Sequence, residues 1–500
     1  MTTSISNDSA QATLPEQAAT RNPPRPDNDG RAGLPHTLAS RFIMLLLCAA
    51  IVLSTLAYGT VHYWALAVFE TGACAIVCCW AVDAWRSNHL RFSLNWLQLP
   101  LAGLLLIGLF QLLPLGSNTP EAAGLISQSP VHSLSFDPYS TRLAIVQITA
   151  LLIYFAAALA FIDSPRRLRL VVRAVIIFGF ALAIFGLIQS YTSPNKVYWI
   201  RELPQAAPFG PFINRHHFAG YMEMTLALAL GLLFSGAVER EKRPLYIFAA
   251  AMMGVALVMT NSRGGIISLV AEIFFLLLLT GLGRRRDGAD ETEEKSARIR
   301  TALVRSSLAL GLLLALFAGV VLLGGEAALS RFVGTVNADD PTTGRAHFWT
   351  TSLRIIEDHP TLGVGLGAFS LAYTRYDTRN GLFRLEQAHN DYLQILTDAG
   401  IIGLLLGLFF VGALFRNGLQ RRESNDVFRR GVATGALAGC FAVLVHSFFD
   451  FTLHTTSNAL LFLVLAALAT LNGRVELPSH GHRRRRRRPT VPQPSLPPRV

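Results

Sequence analysis

The sequence predicts an all-α polytopic membrane protein with about twelve transmembrane helices and a large outer loop that contains amphipathic helices. Hydrophobic residues make up 51% of the 500-residue chain and charged residues only 15%, and the mean hydropathy is +0.40. Runs of roughly 17 to 25 apolar residues recur, and each can cross a hydrocarbon core of about 30 Å as a helix. The loops between these runs alternate between basic and cation-poor.

The spans are bounded by two polar tails. Residues 1–41 are rich in Pro, Ser, Asn and Asp and lack an apolar core, so we expect a disordered tail and not a signal peptide. A second disordered tail at 473–500 carries six arginines at 483–488. The transmembrane domain covers 42–472, and its expected spans are 42–60, 62–82, 97–113, 143–162, 168–190, 217–237, 245–260, 265–282, 304–324, 391–415, 431–449 and 457–472.

The distribution of Lys and Arg predicts the orientation, because basic loops stay on the cytoplasmic side of a membrane. With both tails cytoplasmic, the basic connections all fall on the inner side. They are 84–91, 163–169, 239–244, 283–300 and 416–430. The opposite side receives 114–141, which contains no Lys or Arg, and a long outer loop at 325–390.

Charge and cysteine content argue against two other classes of protein. The net charge is +12, but the arginine run supplies half of it and no basic surface with interleaved aromatic residues accompanies that run, so no nucleic-acid partner is expected. Anionic membrane lipids are the simpler partner for this tail. All five cysteines lie in expected spans, where they act as small apolar residues: Cys48, Cys74, Cys78, Cys79 and Cys440.

Two cationic motifs lie at the outer ends of spans. Arg215, His216 and His217 occupy the first turn of the sixth span, where unpaired backbone N–H groups already favour an anion such as phosphate. Arg263 begins the eighth span within TNSRGG at 260–265, whose serine can cap and whose glycines allow close backbone approach. The alternatives are interfacial snorkelling of the first arginine and an ordinary tight turn in the second motif.

The outer loop is predicted to contain an amphipathic helix that lies on the membrane surface, starts at Arg345 and ends before Pro360. Glycines alternate after it at 363–367, as in a nucleotide-binding loop, but no strand precedes them and we expect a flexible turn. The helix is indicated by apolar residues at helical spacing, namely Phe348, Trp349, Leu353 and Ile356.

Two polar motifs border the tenth and eleventh spans. Asn390 is placed to cap the tenth span. His389, just before it, could take a proton from a hydroxyl or could be an interfacial histidine without chemistry. His446, Asp450 and His454 recur every four residues and would share one face if the helix continued that far. Hydrogen bonding around a site, helix capping and zinc binding all fit this spacing, but no second ligand cluster supports zinc and no metal is expected.

The chain resembles the O-antigen ligase and O-antigen polymerase superfamily of bacterial membrane glycosyltransferases. The matching motifs are NSRGG at 261–265, GRAHFWTTSLRIIEDHPTLGVGLGAF at 344–369 and HNDYLQILTDAGIIGLLL at 389–406, in this order. With the number of spans and the outer loop, the resemblance covers roughly residues 40 to 472. The last two motifs are moderately specific as a pair.

The resemblance implies a GT-C type fold and transfer of a glycan from an undecaprenyl diphosphate carrier to an acceptor hydroxyl, such as that of a glycan or of lipid A core. It places the protein in the bacterial inner membrane with the active site facing the periplasm, and it implies no cofactor and no required metal. Matched by position, Arg215, Arg263 and Arg345 correspond to residues that hold the diphosphate, and His389 to the catalytic base. The supporting residues are expected to be Asn390, His216, His217, His446 and Asp450.

Elementary chemistry is consistent with this assignment. A departing diphosphate needs fixed cations but no nucleotide, a poor alcohol nucleophile benefits from a base, and direct displacement would invert the anomeric carbon. Three alternatives remain open: a polymerase of the same superfamily, a noncatalytic assembly subunit, and a transporter or flippase for lipid-linked glycans. The last could use a proton relay of Glu70, Glu223 and Glu272, which lie about eight or nine residues into their spans.

Overall fold

The computed structural model describes residues 36–115, 133–203, 206–281, 345–379, 385–472 and 475–476. The chain divides into two units, residues 1–36 and 37–500, and every element below belongs to the second. Nearly all of both expected tails and the whole of the span expected at 304–324 lie outside the described residues.

The described part contains thirteen α-helices and one short hairpin, with 3-10 turns at Tyr58–Thr60, Arg240–Lys242 and Thr452–His454. Strands β1 (Lys196–Val197) and β2 (Arg201–Glu202) pair antiparallel, with Val197 opposite Arg201. The helices are α1 (Leu38–Leu56), α2 (Tyr63–Ser87), α3 (Gln98–Gln111), α4 (Pro138–Phe161), α5 (Pro165–Thr192), α6 (Arg215–Ser235), α7 (Arg243–Met259), α8 (Arg263–Gly281), α9 (Arg345–Asp358), α10 (Phe369–Tyr376), α11 (Asp391–Arg421), α12 (Val427–His446) and α13 (Thr456–Thr470).

Within the described residues, nine helices are long and apolar enough to cross a membrane. They are α1, α2, α4, α5, α6, α7 with the 3-10 turn before it, α8, α11 and α12. Helices α3 and α13 are apolar but shorter, with 14 and 15 residues. The prediction of an all-α, multi-pass membrane protein is therefore confirmed, and eleven of the twelve expected spans correspond to a helix.

Capping residues determine where several helices begin. Asp137 and Ser164 accept hydrogen bonds from backbone N–H groups of α4 and α5, and each is followed by a proline. Asn214 and Asn390 cap α6 and α11 in the same manner. The last two caps matter for function, because they fix the backbone on which Arg215 and His389 lie.

Helices α6 and α12 form the centre of the bundle. Almost every α6 side chain and most of those of α12 are buried, as expected for helices that other helices surround. A Cβ atom at Gly231 would lie 2.4 Å from the Gly435 Cα atom, so only glycines allow this approach. Small residues at such contacts are typical of helix pairs in membranes. The start of α6 is therefore carried on a rigid central element.

One end of the bundle collects segments that were predicted to be cytoplasmic. Arg91 Nη1 donates to Asp163 Oδ2 at 2.6 Å, which joins the connections that follow α2 and α4. Arg167 Nη2 donates to Ser40 Oγ at 2.7 Å, which adds the start of α1 to the same group. These segments share one side, as the distribution of basic residues requires.

Helix α9 is described from Arg345 and ends before Pro360, as predicted, and the side chains that it buries against protein are other than the predicted apolar face. Leu353, expected on the apolar face, is 50% exposed. The helix packs against α10 and α11, so contacts with protein, and not only with lipid, determine which of its side chains face inward. Its buried residues are Thr351, Ser352 and Ile355.

The glycine-rich turn at 363–367 is tightly packed, so the expectation of a flexible turn is wrong. Gly363 has φ +68°, and a Cβ atom there would lie 2.4 Å from the Thr397 carbonyl oxygen of α11. Gly365 has φ +120° and lies against Ser135 with as little room. Sequence alone cannot separate a glycine that permits motion from one that permits close contact.

Candidate active site

The first turns of α6 and α8 are joined by a hydrogen bond. His216 Nδ1 lies 2.7 Å from Ser262 Oγ, which also accepts the backbone N–H of Gly265 at 3.1 Å and so caps α8. As predicted, α6 begins at Arg215 and α8 at Arg263. The two arginines each lie next to a member of this bonded pair, although 47 other positions separate them in the chain.

Asp450 lies where the outer loop, α6 and α11 meet. Its Oδ1 atom lies 3.3 Å from His389 Nδ1, and its Oδ2 atom accepts a hydrogen bond from Arg345 Nη2 at 3.3 Å. His216 Nδ1 is 3.9 Å from the same Oδ2 atom. Three cationic or titratable side chains from separate segments thus converge on one carboxylate whose side chain is 1% exposed.

The pKa of the Asp450 carboxyl is lowered despite its burial, which favours the ionised form. Burial by itself raises its pKa, but the hydrogen bond from His389 and the electrostatic influence of the neighbouring histidines outweigh burial and hold the pKa below its usual value. An ionised carboxylate can only accept hydrogen bonds. With Nδ1 of His389 as the donor to Asp450, the other ring nitrogen takes no part in this contact.

The ring of His389 is held on two sides by aromatic residues. Phe348 of α9 stacks on it with ring centroids 6.0 Å apart, and Phe451 meets it edge-on at 4.8 Å. His389 itself has φ +52°, an uncommon backbone conformation for a residue other than glycine. The side chain is 26% exposed, so it is both fixed in orientation and open to a substrate.

The cap at the start of α11 also anchors the loop that carries Asp450. Asn390 caps α11, as predicted, and its Nδ2 atom donates to the Phe448 carbonyl at 3.2 Å. Asp391 accepts hydrogen bonds from Ser447 Oγ at 2.7 Å and from His454 Nδ1 at 2.7 Å. The sequence argument missed Asp391 and Ser447; an acidic residue in the first turn of a span was the available signal.

His217 is directed away from its neighbour His216 and into the interior. Its Nδ1 atom lies 2.8 Å from Thr455 Oγ1, and its ring meets Phe451 edge-on at 4.8 Å. Its backbone carbonyl accepts a hydrogen bond from Asn458 Nδ2 at 3.0 Å. His217 therefore supports the phenylalanine that packs on His389 and is only 5% exposed itself.

The regular spacing of His446, Asp450 and His454 does not place them on one helical face, because the helix does not continue that far. Helix α12 ends at His446, and a turn and a 3-10 helix follow. His446 bonds to Glu223 at 2.8 Å and His454 to Asp391, while Asp450 meets the residues described above. The three side chains have separate partners, an arrangement that suits hydrogen bonding and not one shared ion.

The assembled site combines an oriented imidazole with the guanidinium of Arg345 and with two helix starts that carry Arg215 and Arg263. Asp450 orients His389 and can stabilise the imidazolium that forms when the ring takes a proton. Arg345 is bound to that same carboxylate, while Arg215 and Arg263 lie at adjacent helix starts, where backbone N–H groups also favour an anion. Such a site is suited to proton abstraction next to a bound anion.

Known proteins with similar sequences match part of this chain. A family model described as O-antigen ligase matches residues 247–408, which include α8, α9 and the start of α11. An O-antigen ligase of Pseudomonas aeruginosa is 25% identical over 276 residues, which cover 55% of this chain and 58% of that relative. The resemblance to the O-antigen ligase superfamily is confirmed.

The matched O-antigen ligase segment contains part of the candidate site. Arg263, Arg345, His389 and Asn390 lie within residues 247–408. The other candidate residues lie outside it, and hydrogen bonds connect two of them to the segment, namely Asp450 to His389 and Arg345, and His216 to Ser262. The chain spans little more than half the length of the curated O-antigen ligase that it matches.

Proposed function

We propose that this protein transfers a glycan from a lipid diphosphate carrier to an acceptor hydroxyl, as an O-antigen ligase-like enzyme. The observation that supports this most directly is the contact of His389 Nδ1 with the buried Asp450 carboxylate, beside the joined first turns of α6 and α8. The family match of residues 247–408 supports the same reaction class.

In this proposal His389 is the general base. Its Nδ1–H donates to Asp450, and its Nε2 atom takes the proton of the acceptor hydroxyl as the oxygen attacks the anomeric carbon. The bond between that carbon and the diphosphate oxygen breaks, and its electron pair leaves with the diphosphate. Attack opposite the leaving group inverts the anomeric carbon.

Arg215 and Arg263 are proposed to hold the departing diphosphate. Charge that develops on its oxygens is stabilised by fixed cations and by the N–H groups at the starts of α6 and α8. Arg345 acts through Asp450, because its Nη2 atom binds that carboxylate at 3.3 Å. We therefore propose that the main role of Arg345 is to hold Asp450 in place, and that its contact with the diphosphate is secondary.

The donor in this proposal is an undecaprenyl-diphosphate-linked glycan, and the acceptor is a glycan or lipid A core at the periplasmic face of the bacterial inner membrane. The nine apolar helices and the clustering of basic connections at the opposite end support a site on the outer side. A site at the boundary of bilayer and water suits an amphiphilic donor whose lipid remains in the membrane.

Complementation of a deletion strain tests the proposal. His389→Ala, Arg215→Ala and Arg263→Ala should each abolish the mature surface glycan on a gel while the protein still inserts at normal levels. Two exposed residues serve as matched controls, Arg354→Ala on α9 and His89→Ala at the opposite end of the bundle, and both should restore the glycan. A normal product from His389→Ala would refute the base assignment.

The accumulated product separates a ligase from a polymerase. Loss of a ligase leaves complete polymer on its lipid carrier and none on the acceptor, whereas loss of a polymerase leaves single repeat units. A proton-coupled flux of lipid-linked glycan in proteoliposomes, without any transfer, would instead support the transporter alternative.

A further inference from the structure

A second histidine–carboxylate pair lies beneath the candidate site and has no role in the proposed chemistry. His446 Nδ1 lies 2.8 Å from Glu223 Oε1, and both side chains are 0% exposed, whereas the His389 side chain is 26% exposed. Neither residue can reach a substrate. Burial of two ionisable groups within a membrane bundle carries a large desolvation cost. A role other than contact with a substrate must therefore account for the presence of this pair.

His446 holds the loop that carries Asp450. It is the last residue of α12, and its carbonyl accepts hydrogen bonds from the backbone N–H groups of Phe449 at 2.8 Å and Asp450 at 3.1 Å. The ring and this carbonyl belong to one residue. A ring that is fixed by Glu223 therefore also limits the movement of the Asp450 backbone.

The same imidazole packs on the first turn of α8. A Cβ atom at Gly264 would lie 2.8 Å from His446 Cδ2 and 2.9 Å from Phe449 Cβ. The ring therefore lies directly against the α8 backbone, one residue after Arg263, with no space for a side chain between them. His446 thus contacts both segments: its imidazole lies against the one that carries Arg263, and its backbone carbonyl binds the one that carries Asp450.

We propose that Glu223 and His446 form a positioning pair, which sets the Asp450 loop against the first turn of α8 and thereby orients His389. Glu223 is suited to this role because it lies on α6, which is the most buried of the nine described helices that are long enough to cross a membrane. The expected effect on rate rests on the proposed function. The placement of the Asp450 loop does not rest on the proposed function, so the effect on rate and the placement can be tested separately.

The kinetic test compares a variant that removes the acceptor atom with one that keeps it. Glu223→Leu should lower kcat by about 10- to 100-fold with little change in the acceptor KM, and Glu223→Gln should restore most of the loss, since its carbonyl can still accept from Nδ1–H. Because a displaced Asp450 no longer stabilises protonated His389, the acidic limb of the pH–rate profile should also move to lower pH in Glu223→Leu. A purely structural defect would lower the amount of active protein without moving this limb.

Glu272 of α8 offers a matched control. It is equally buried, and within the described residues its carboxylate oxygens have no hydrogen-bond partner. Glu272→Leu should therefore leave kcat and the pH–rate profile nearly unchanged. An equal effect of Glu272→Leu and Glu223→Leu would overturn the proposal.

Thiol labelling tests the placement of the loop without reference to catalysis. With the five native cysteines replaced, Phe449→Cys should react slowly with a membrane-impermeant maleimide, and Glu223→Leu or His446→Leu should accelerate labelling several-fold. Unchanged labelling together with an unchanged pH–rate profile in Glu223→Leu would overturn the positioning pair. Absence of transfer by the parent protein would instead count against the proposed function, and the labelling result would still decide the placement.

Discussion

His389 Nδ1 lies 3.3 Å from the Oδ1 atom of Asp450, a residue 61 positions later in the chain. The lowered pKa of Asp450 favours the form of His389 that is protonated on Nδ1, the nitrogen in this contact. The two residues belong to different loops, which are joined by the hydrogen bonds of Asn390 and Asp391 to the segment after α12.

Asp450→Asn should lower the transfer rate by about 10²- to 10⁴-fold, because the amide can donate to Nδ1 and favour the wrong tautomer of His389. Rates of glycan transfer by purified protein would measure this. Asp377→Asn is the control, since Asp377 forms a similar 2.8 Å pair with His347 in the outer loop, away from Asp450. Transfer at the parental rate by Asp450→Asn would contradict the role of the pair.

The contact of His454 with Asp391 predicts a pH-dependent stability. Burial lowers the pKa of His454, but the hydrogen bond and charge of Asp391 outweigh it, so the folded-state pKa is raised above its usual value of about 6.5. The contribution to stability should be fully present below about pH 6.5 and lost as pH rises through the raised value. Thermal unfolding in detergent should show His454→Asn closest to the parent at alkaline pH. A difference that grows with pH would contradict this sign.

Arg429→Met should lower the free energy of unfolding by about 2–5 kcal/mol. The Arg429 side chain is fully buried and donates to the carbonyls of Leu468 at 2.9 Å, Ala469 at 3.2 Å and Leu471 at 2.9 Å, which end α13. Removal of the guanidinium leaves these carbonyls without their donor. Thermal unfolding would measure the loss, and Arg430→Met, which removes a bond only to the Ser424 carbonyl, should cost far less.

Gly363→Ala should destabilise the outer turn by at least about 1–3 kcal/mol, the range for a strained backbone. The residue has φ +68°, and a methyl group would overlap the Thr397 carbonyl of α11. Protease sensitivity of the 363–367 turn and thermal unfolding would report the change. Gly412 lies within α11, and nothing lies within 4 Å of a Cβ atom added there, so Gly412→Ala should be neutral or slightly stabilising. Equal stability of the two variants would contradict the packing argument.

Several local features follow from the sequence with good accuracy. Helices α6 and α8 begin at Arg215 and Arg263, as predicted, and Asn390 caps α11. These features depend on interactions within a few residues, namely caps, helical periodicity and apolar length. A single sequence contains all of that information.

The errors arose where distant segments meet. The spacing of His446, Asp450 and His454 suggested one helical face, yet the helix ends at the first of them. The glycines at 363–367 suggested flexibility, yet α11 packs against them. In each case a contact made by another part of the chain decided the outcome.

The sequence by itself determined a multi-pass helical membrane protein and the superfamily that it resembles, because apolar length, basic loops and ordered motifs are properties of the linear chain. Only the tertiary structure decided that Asp450 contacts His389 and Arg345, and that Glu223 pairs with His446. The physical reason is that a hydrogen bond requires two groups within about 3 Å, and packing of the helices alone brings residues far apart in sequence to that distance.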